Sequence, residues 1–211
     1  HLSEAGITVD GEPSRAAASG GARELASVSS APLSDILALS LKTSDNTMTE
    51  VEGRLVAVHA KQSADFAGAS KAVIAQLGKD GFDTSGLTLL DASGLAKGNK
   101  VPARLLAQIL AKAAGGEGGS AGRTLIADLP VAALDGTLTN RLHDTTAAGT
   151  VRAKTGSLER TSSLAGVVTT ADGRLLAFSI LANDFPANGG GAAAAVIDSH
   201  FVAPLASCGC S

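Results

Sequence analysis

Two short polar motifs in this sequence carry side chains that can bind and polarise a peptide substrate. They are the SDN motif (residues 44–46) and the KTG motif (residues 154–156), and Ser157 directly follows the second. Lys154 supplies a fixed positive charge, and the hydroxyls of Thr155 and Ser157 can hold a carboxylate. The glycine of the KTG motif lets a substrate backbone pack against this segment. The second motif is therefore suited to a peptide that carries a carboxylate.

Each motif alone also has a simpler explanation. A given tripeptide is expected by chance about 0.03 times in a chain of this length, whereas a bare Ser-x-Asn is expected about once in two such chains. A charged strand end explains the KTG motif as readily as a binding site does, and Asp and Asn are common at helix N-termini. What favours a catalytic site is the order of the two motifs, with SDN in a turn between helices and KTG on a strand.

The spacing of apolar residues places the SDN motif inside a helical block. The predicted helices cover residues 32–42, 47–61, 67–77 and 102–114. The SDN motif then occupies the tight turn between the first two helices, and the Asn46 side chain can cap the second. The glycine-rich residues 115–122 are expected to form a flexible surface loop.

The pattern changes to strands around the KTG motif. Three consecutive antiparallel strands are predicted at residues 150–155, 164–170 and 174–181, with a hairpin turn at 171–173. A weak strand at 22–29, a short strand at 87–90 and a closing helix at 192–205 complete the prediction. We expect one folding unit, with a helical block, an antiparallel sheet and a terminal helix on that sheet.

Composition excludes several classes of function. The chain has 211 residues, 45% of them hydrophobic, but only 2% aromatic residues and a net charge of −3, so no nucleic-acid partner is expected. No run of 18 apolar residues occurs. The four histidines have no metal-binding spacing, and Cys208 and Cys210 are too few for a zinc site, so neither a metal nor another cofactor is predicted. The two cysteines are most simply explained as a tail without function.

Beyond the two motifs, seven stretches resemble the serine D-Ala-D-Ala carboxypeptidases of the PBP4/DacB type (peptidase family S13). They are residues 5–11, 30–37, 41–46, 89–101, 129–142, 151–158 and 164–183, so the resemblance covers nearly the whole chain. It implies a β-lactamase/transpeptidase-like fold of the α/β (α+β, multidomain) class, with an antiparallel sheet flanked by helices. It also implies a D-alanyl-D-alanine carboxypeptidase that acts outside the cytoplasm on peptidoglycan stem peptides and binds β-lactams. Whether this enzyme also cleaves cross-links as an endopeptidase stays open.

The resemblance also assigns catalytic roles by analogy. Ser44 would relay a proton to the leaving D-Ala amine, Asn46 would orient the substrate amide, and Lys154 would set the positive field. The chemistry would be acyl transfer through a serine ester, with the Ser157 N–H as one oxyanion donor.

Further residues are implied to bind substrate. Thr155, Gly156 and Ser157 would hold the terminal carboxylate and backbone, while Leu95 and Lys97 would border the groove near the penultimate side chain. Lys97 stands where the family commonly has arginine, and it could pair with the distal carboxylate of diaminopimelate. A solvated loop lysine explains this residue equally well.

The sequence departs from the family in one important respect. The family's nucleophile lies in a Ser-x-x-Lys motif, and no serine here is followed by lysine three residues later; Ser40 and Lys42 have the wrong offset, as do Ser93 and Lys97. We therefore expect residues 1–211 to be the C-terminal part of the penicillin-binding catalytic domain, incomplete at the N-terminus and partnered by the N-terminal half of the same protein. The alternative is a non-catalytic cell-wall-binding protein that keeps the groove.

Two other enzyme groups of this fold fit the sequence less well. Class A β-lactamases need a glutamate between the two motifs to activate the deacylating water. None occurs in residues 53–116, and Glu117 lies in the glycine-rich segment, so this class is disfavoured. Enzymes that use a Tyr-x-Asn motif are excluded because the chain has no tyrosine.

Overall fold

The computed structural model describes residues 1–12 and 14–208. The chain divides into two compact units, His1–Ala31 and Pro32–Ser211, where a single folding unit was expected. Cys208 lies within the described residues and Cys210 lies outside them. The explanation of the cysteines as a tail without function therefore stays a prediction.

The described part of the first unit contains turns but neither helix nor strand. The strand predicted at residues 22–29 is wrong. Leu25 is 88% exposed and Val28 is 99% exposed. The apolar residues of this weakly alternating segment therefore pack against no apolar surface that could stabilise a strand.

Helices form the first half of the second unit and its C-terminal end. Their bounds are α1 Leu33–Thr43, α2 Asn46–His59, α3 Phe66–Lys79, α4 Ala103–Ala114, α5 Gly119–Asp128, α6 Gly190–Val196 and α7 Ala203–Ser207. The four helices predicted before residue 115 are confirmed. Across the described residues, every helix is too short or too polar to cross a membrane.

Helix α5 was not predicted, because the glycine-rich residues 115–122 indicated a flexible loop. The glycines instead allow a close approach between neighbouring helices: a Cβ on Gly122 would lie 2.9 Å from the Cα of Ala113 on α4. A helix therefore begins within the glycine run, at Gly119. Helix propensity alone disfavours this start, and packing on α4 outweighs it.

The C-terminal helix is also less regular than predicted. A π-helical segment, Ile197–Val202, joins α6 to α7. Pro204 lies in the first turn of α7, and its missing N–H cannot donate to the carbonyl four residues earlier. The wider π-helical turn occurs just before this residue. The segment predicted as one helix at 192–205 is therefore helical, but its backbone hydrogen-bond pattern changes within it.

The sheet has three antiparallel strands in the order β1-β2-β3. They are β1 Val151–Leu158, β2 Thr161–Thr169 and β3 Leu175–Asn183, which confirms the three predicted strands and the hairpin turn between the last two. A second tight turn joins β1 to β2, with Arg160 at φ 60°. The short strand predicted at residues 87–90 is wrong, since only an isolated bridge between Thr88 and Lys100 forms there.

The sheet is covered on both faces. On one face, apolar residues of all three strands pack against the C-terminal helical segment in a core that includes Val151, Leu164 and Val202. On the other face, Val167 packs with Leu110 of α4. Leu164 and Val167 of β2 point to opposite faces of the sheet, as expected for a strand buried on both sides. The predicted antiparallel sheet flanked by helices is confirmed.

Candidate active site

The SDN motif lies where α1 ends and α2 begins. Ser44 closes α1 in the left-handed conformation, with φ 55° and ψ 47°, and its N–H donates to the carbonyl of Ser40. Asp45 then caps α2, and its side chain accepts a hydrogen bond of 2.9 Å from the N–H of Met48. These two caps fix the backbone on either side of Asp45.

Asn46 does not cap α2, contrary to the sequence prediction, because Asp45 occupies that position. Asn46 is instead the first residue of the helix, and it is exposed. Within the described part of the chain its side chain makes no hydrogen bond. Its amide is therefore available to a substrate, as the family analogy requires.

Lys154 of β1 meets Ser44 across the boundary between the helices and the sheet. Its Nζ donates to Ser44 Oγ at 2.7 Å and to the carbonyl oxygen of Thr155 at 2.8 Å, although Ser44 and Lys154 are 110 residues apart in sequence. The structure thus brings together the two motifs that the sequence singled out.

The surroundings of Lys154 make its charge costly. Burial lowers the pKa of the Lys154 ammonium group below its ordinary value, because the charged form loses hydration. The two groups that accept its hydrogen bonds are uncharged oxygens, so they do not neutralise the charge of the ammonium group. A cation held in this way acts strongly on any negative charge that develops nearby.

The outer edge of β1 is open beside the KTG motif. The Ala153 N–H donates to Pro130 O at 2.9 Å, away from β2. Because backbone groups alternate along a strand, the N–H groups of Thr155 and Ser157 point to the same outer edge. At Gly156 a Cβ would overlap the Ser163 hydroxyl on β2 unless that side chain turned away. Ser157 is exposed at this edge.

Thr155 is held by a residue that the sequence did not single out. Its hydroxyl donates to Thr137 Oγ1 at 3.0 Å. Thr137 lies in the 3₁₀ turn Gly136–Leu138, which precedes β1 in the chain. Both hydroxyls are half-buried.

Residues 91–99 form a loop that is docked onto α2. Asp91 accepts hydrogen bonds from the N–H groups of Gly94 at 2.9 Å and Ala96 at 2.7 Å, and from Asn99 Nδ2 at 2.7 Å. Burial alone would raise the pKa of Asp91, but these hydrogen bonds outweigh it, and the pKa lies below its ordinary value. The carboxylate is therefore ionised and organises the loop.

Glu50 connects this loop to the SDN helix. From the second turn of α2, its Oε1 accepts hydrogen bonds from Ala92 N at 3.1 Å and Ser93 N at 2.9 Å. Gly53, one turn further on, permits the close approach, since a Cβ there would lie 2.6 Å from the Cβ of Ala92. The loop thus keeps a fixed position relative to α2.

The same loop reaches the end of β1 through Lys97. Its Nζ lies 3.1 Å from Glu159 Oε2, in the turn that follows β1, and both side chains are largely exposed. Leu95 is 51% exposed. Lys97 therefore lies near the strand that carries the KTG motif, although its charge already has a partner.

A second lysine ties α1 to the segment before β1. Lys42 Nζ donates to Leu129 O and to Asp135 Oδ2, each at 2.7 Å. The other oxygen of Asp135 accepts the Val131 N–H at 2.7 Å. Burial would raise the pKa of Asp135, but the hydrogen bonds from Lys42 and Val131 outweigh it and lower the pKa.

The arrangement offers the groups that an acyl-transfer site needs around a nucleophile. A cation and a hydroxyl meet beside an open strand edge that can hold an extended peptide, and an exposed amide lies two residues after that hydroxyl in the chain. No Ser-x-x-Lys motif occurs in the sequence. Among residues 1–12 and 14–208, no cluster of three metal-binding side chains forms.

Sequence reasoning missed Glu50, Asp91, Asp135 and Thr137. The contacts of Glu50, Asp135 and Thr137 join different segments of the chain, and no spacing rule pairs them. Asp91 forms its hydrogen bonds within its own loop, where no regular element marks them. The one local signal was the Asp-Gly step at residues 135–136, which is typical of a tight turn.

The chain is similar in sequence to known proteins. The sequence profile of the D-Ala-D-Ala carboxypeptidase 3 (S13) family matches residues 1–201. Carboxypeptidase DacB of Mycolicibacterium smegmatis is 43% identical over 194 residues, which cover 90% of the chain and 41% of that protein. The chain thus spans less than half the length of this relative.

Solved structures resemble the fold as well. Penicillin binding protein 4 from Haemophilus influenzae, complexed with a β-lactam, is 34% identical with a TM-score of 0.67, over 72% of this chain and 35% of that one. A β-lactamase from Chitinophaga pinensis is 22% identical with a TM-score of 0.54, over 72% of this chain and 56% of that one, and it shares the fold alone. The predicted β-lactamase/transpeptidase-like fold is confirmed.

Proposed function

Because the chain belongs to the D-Ala-D-Ala carboxypeptidase 3 (S13) family, we propose that it supplies the SDN and KTG parts of a serine carboxypeptidase. The enzyme removes the terminal D-alanine from peptidoglycan stem peptides. The observation that carries the proposal is the 2.7 Å hydrogen bond from Lys154 Nζ to Ser44 Oγ, which joins the two motifs in one site.

We further propose that the nucleophilic serine comes from an upstream segment, so that residues 1–211 are the C-terminal part of the catalytic domain. Two facts support this. The sequence contains no Ser-x-x-Lys motif, and the chain spans only 41% of the length of the Mycolicibacterium relative. The full-length protein is then this chain together with such a segment.

The proposed reaction proceeds through a covalent ester. The upstream serine attacks the carbonyl between the two D-alanines, the bond to the terminal D-alanine breaks, and water later releases the shortened peptide. The proton of the attacking serine hydroxyl is relayed through the Ser44 hydroxyl to the leaving amine, and the exposed Asn46 amide orients the substrate amide. Lys154 stabilises the negative charge that develops on the oxygen of the attacked carbonyl, and its positive charge attracts the substrate carboxylate.

The KTG strand binds the end of the substrate in this proposal. The hydroxyls of Thr155 and Ser157 hold the terminal carboxylate, and Gly156 leaves room for the substrate backbone. The Ser157 N–H is one hydrogen-bond donor to the oxyanion. In other enzymes, removing such a donor lowers the rate about 10²- to 10³-fold. The second donor is the N–H of the upstream serine.

The remaining roles are proposed on the same basis. Leu95 and Lys97 border the groove near the penultimate side chain. β-Lactams acylate the same serine, in keeping with the β-lactam complex of the Haemophilus protein. The enzyme acts outside the cytoplasm, where peptidoglycan is accessible, and the open strand edge can also accept a cross-linked peptide for endopeptidase cleavage.

The test is release of D-alanine from a pentapeptide that ends in D-Ala-D-Ala. The full-length protein should release it, and Lys154→Ala should lower kcat/KM by at least roughly 100-fold. Lys71→Ala is the matched control, since Lys71 is exposed on α3 and should leave the rate unchanged. Absence of D-alanine release, or equal rates for the Lys154 and Lys71 variants, would refute the proposal.

A further inference from the structure

The hydrogen bond between Thr155 and Thr137 has a consequence for carboxylate binding. A threonine hydroxyl has one proton and two lone pairs, so only one member of a hydroxyl pair can donate to the other. The two hydroxyl oxygens lie 3.0 Å apart, a distance that suits donation in either direction. While Thr155 is the donor, it has no proton left for a carboxylate, which can only accept hydrogen bonds.

We propose that Thr137 is a positioning residue that switches the Thr155 hydroxyl toward the substrate. When the carboxylate binds, the direction of the pair reverses: Thr137 donates to Thr155, and Thr155 donates to the carboxylate. Only the two hydroxyl protons rotate, and no heavy atom has to move. This inference rests on the proposed function, in which Thr155 holds the terminal carboxylate.

The position of Thr137 is suited to this role because its turn is held from several sides. Gly136 has φ 56°, and a Cβ on it would lie 2.8 Å from the carbonyl oxygen of Lys42. Asp135 is anchored by the Lys42 ammonium and the Val131 N–H. The turn therefore presents the Thr137 hydroxyl without an ordering cost when substrate binds.

The reversed pair also strengthens the grip on the carboxylate. A hydroxyl that accepts one hydrogen bond becomes a better donor in the next, so the two bonds reinforce each other. Without Thr137, the Thr155 rotor is free and its bond to the carboxylate is weaker. A gain of about 10 to 30% in a hydrogen bond to a charged group, together with a fixed rotor, corresponds to about a two- to fourfold gain in rate.

The experiment measures selectivity for a carboxylate in the full-length protein. Second-order acylation rates are compared for benzylpenicillin and for its methyl ester, which lacks the negative charge. Thr137→Val, which keeps the shape of the side chain, should lower the ratio of the two rates about two- to fourfold. Thr137→Ser, which keeps the hydroxyl, should retain the native ratio. Thr139→Val is the control, because the Thr139 hydroxyl donates to Gly136 O within the same turn and not to Thr155.

The outcomes separate this inference from the proposed function. If Thr155→Val lowers the ratio and Thr137→Val does not, Thr155 holds the carboxylate and the role of Thr137 is refuted. If neither variant changes the ratio, the carboxylate role of Thr155 in the proposed function fails as well. Equal loss of both rates in the valine and serine variants would show a purely structural effect and would refute the inference. Thr137→Ala provides the same comparison should the valine variant not fold.

Discussion

Lys154 holds its charge between two neutral oxygens, the hydroxyl of Ser44 and the carbonyl of Thr155. Since burial lowers the pKa of this lysine, the folded protein releases its proton at a lower pH than the unfolded chain does. Lys154 therefore costs stability below its folded pKa, and this cost disappears as the pH rises through the folded pKa toward 10.5. A part-buried lysine that stays charged at a cost in stability is more typical of a catalytic group than of a structural one.

We expect the acylation rate of the full-length protein to fall at alkaline pH, with a midpoint below the ordinary lysine pKa of 10.5. Lys154→Arg keeps its charge beyond pH 12. Its alkaline limb should therefore move to higher pH, even where the rate at neutral pH is reduced. The pH dependence of benzylpenicillin acylation measures both, and an alkaline limb that stays in place in the arginine variant would assign it to another group.

Ser44 combines a functional hydroxyl with an unfavourable backbone conformation, since φ is 55°. Ser44→Ala and Ser44→Gly both remove the hydroxyl, and both should slow acylation by orders of magnitude. Glycine adopts this conformation without strain, so its variant should be at least as stable as the alanine variant. Stopped-flow acylation and melting temperature test the two effects separately. Near-normal acylation in either variant would contradict the proton-relay role.

Lys97 is proposed to bind a distal carboxylate, and its ion pair with Glu159 limits this effect. Exposed pairs contribute only about 0 to 1 kcal/mol, so the preference for diaminopimelate-type over lysine-type stem peptides should be under roughly tenfold. Lys97→Ala should abolish it, and Glu159→Gln should increase it by freeing the lysine. The ratio of kcat/KM for the two peptides measures this, and the same ratio in all three proteins would remove Lys97 from the site.

Among the elements, α2 connects the SDN turn to the loop at residues 91–99. Glu50 is responsible, because its buried carboxylate accepts two backbone N–H groups of the loop while its other oxygen, Oε2, has no hydrogen-bond partner. This contact relates two parts of the proposed groove: the amide of Asn46 at the start of the helix, and Lys97 in the loop.

Removing the Glu50 carboxylate should destabilise the protein, because two part-buried N–H groups lose their partner. Glu50→Ala should cost about 2 kcal/mol in the free energy of unfolding, whereas Glu50→Gln keeps an accepting oxygen and should stay within about 1 kcal/mol. Glu117→Ala, at an exposed position, is the control. Urea denaturation measures all three. A cost for Glu50→Ala no greater than that for Glu117→Ala would show that the contact does not hold the loop.

The elements also show where sequence reasoning succeeds and fails. The helices around the SDN motif and the strand of the KTG motif follow from apolar spacing that tertiary packing reinforces. Helix α5 does not, because its glycines act through close approach to α4 rather than through local propensity. The cap of α2 was assigned to Asn46, although Asp45 performs it, since adjacent residues with similar capping preference cannot be separated from sequence.

At the scale of the whole molecule, the site is assembled from segments far apart in the chain. Two motifs were recognisable because their residue types and order are specific. Thr137 and Asp135 were not, because they act through contacts across the boundary between the helices and β1. We therefore propose that this chain forms the SDN and KTG part of an acyl-transfer site, and that the nucleophile comes from elsewhere in the protein.

The most direct test is intact-mass analysis after incubation with benzylpenicillin, for both the 211-residue chain and the full-length protein. We predict no covalent adduct on the chain and one adduct on the full-length protein, at a serine outside residues 1–211. Peptide mapping identifies the modified residue. An adduct on any serine of the chain, Ser40 and Ser93 included, or an unmodified full-length protein as expected for a non-catalytic cell-wall-binding protein, would contradict the account.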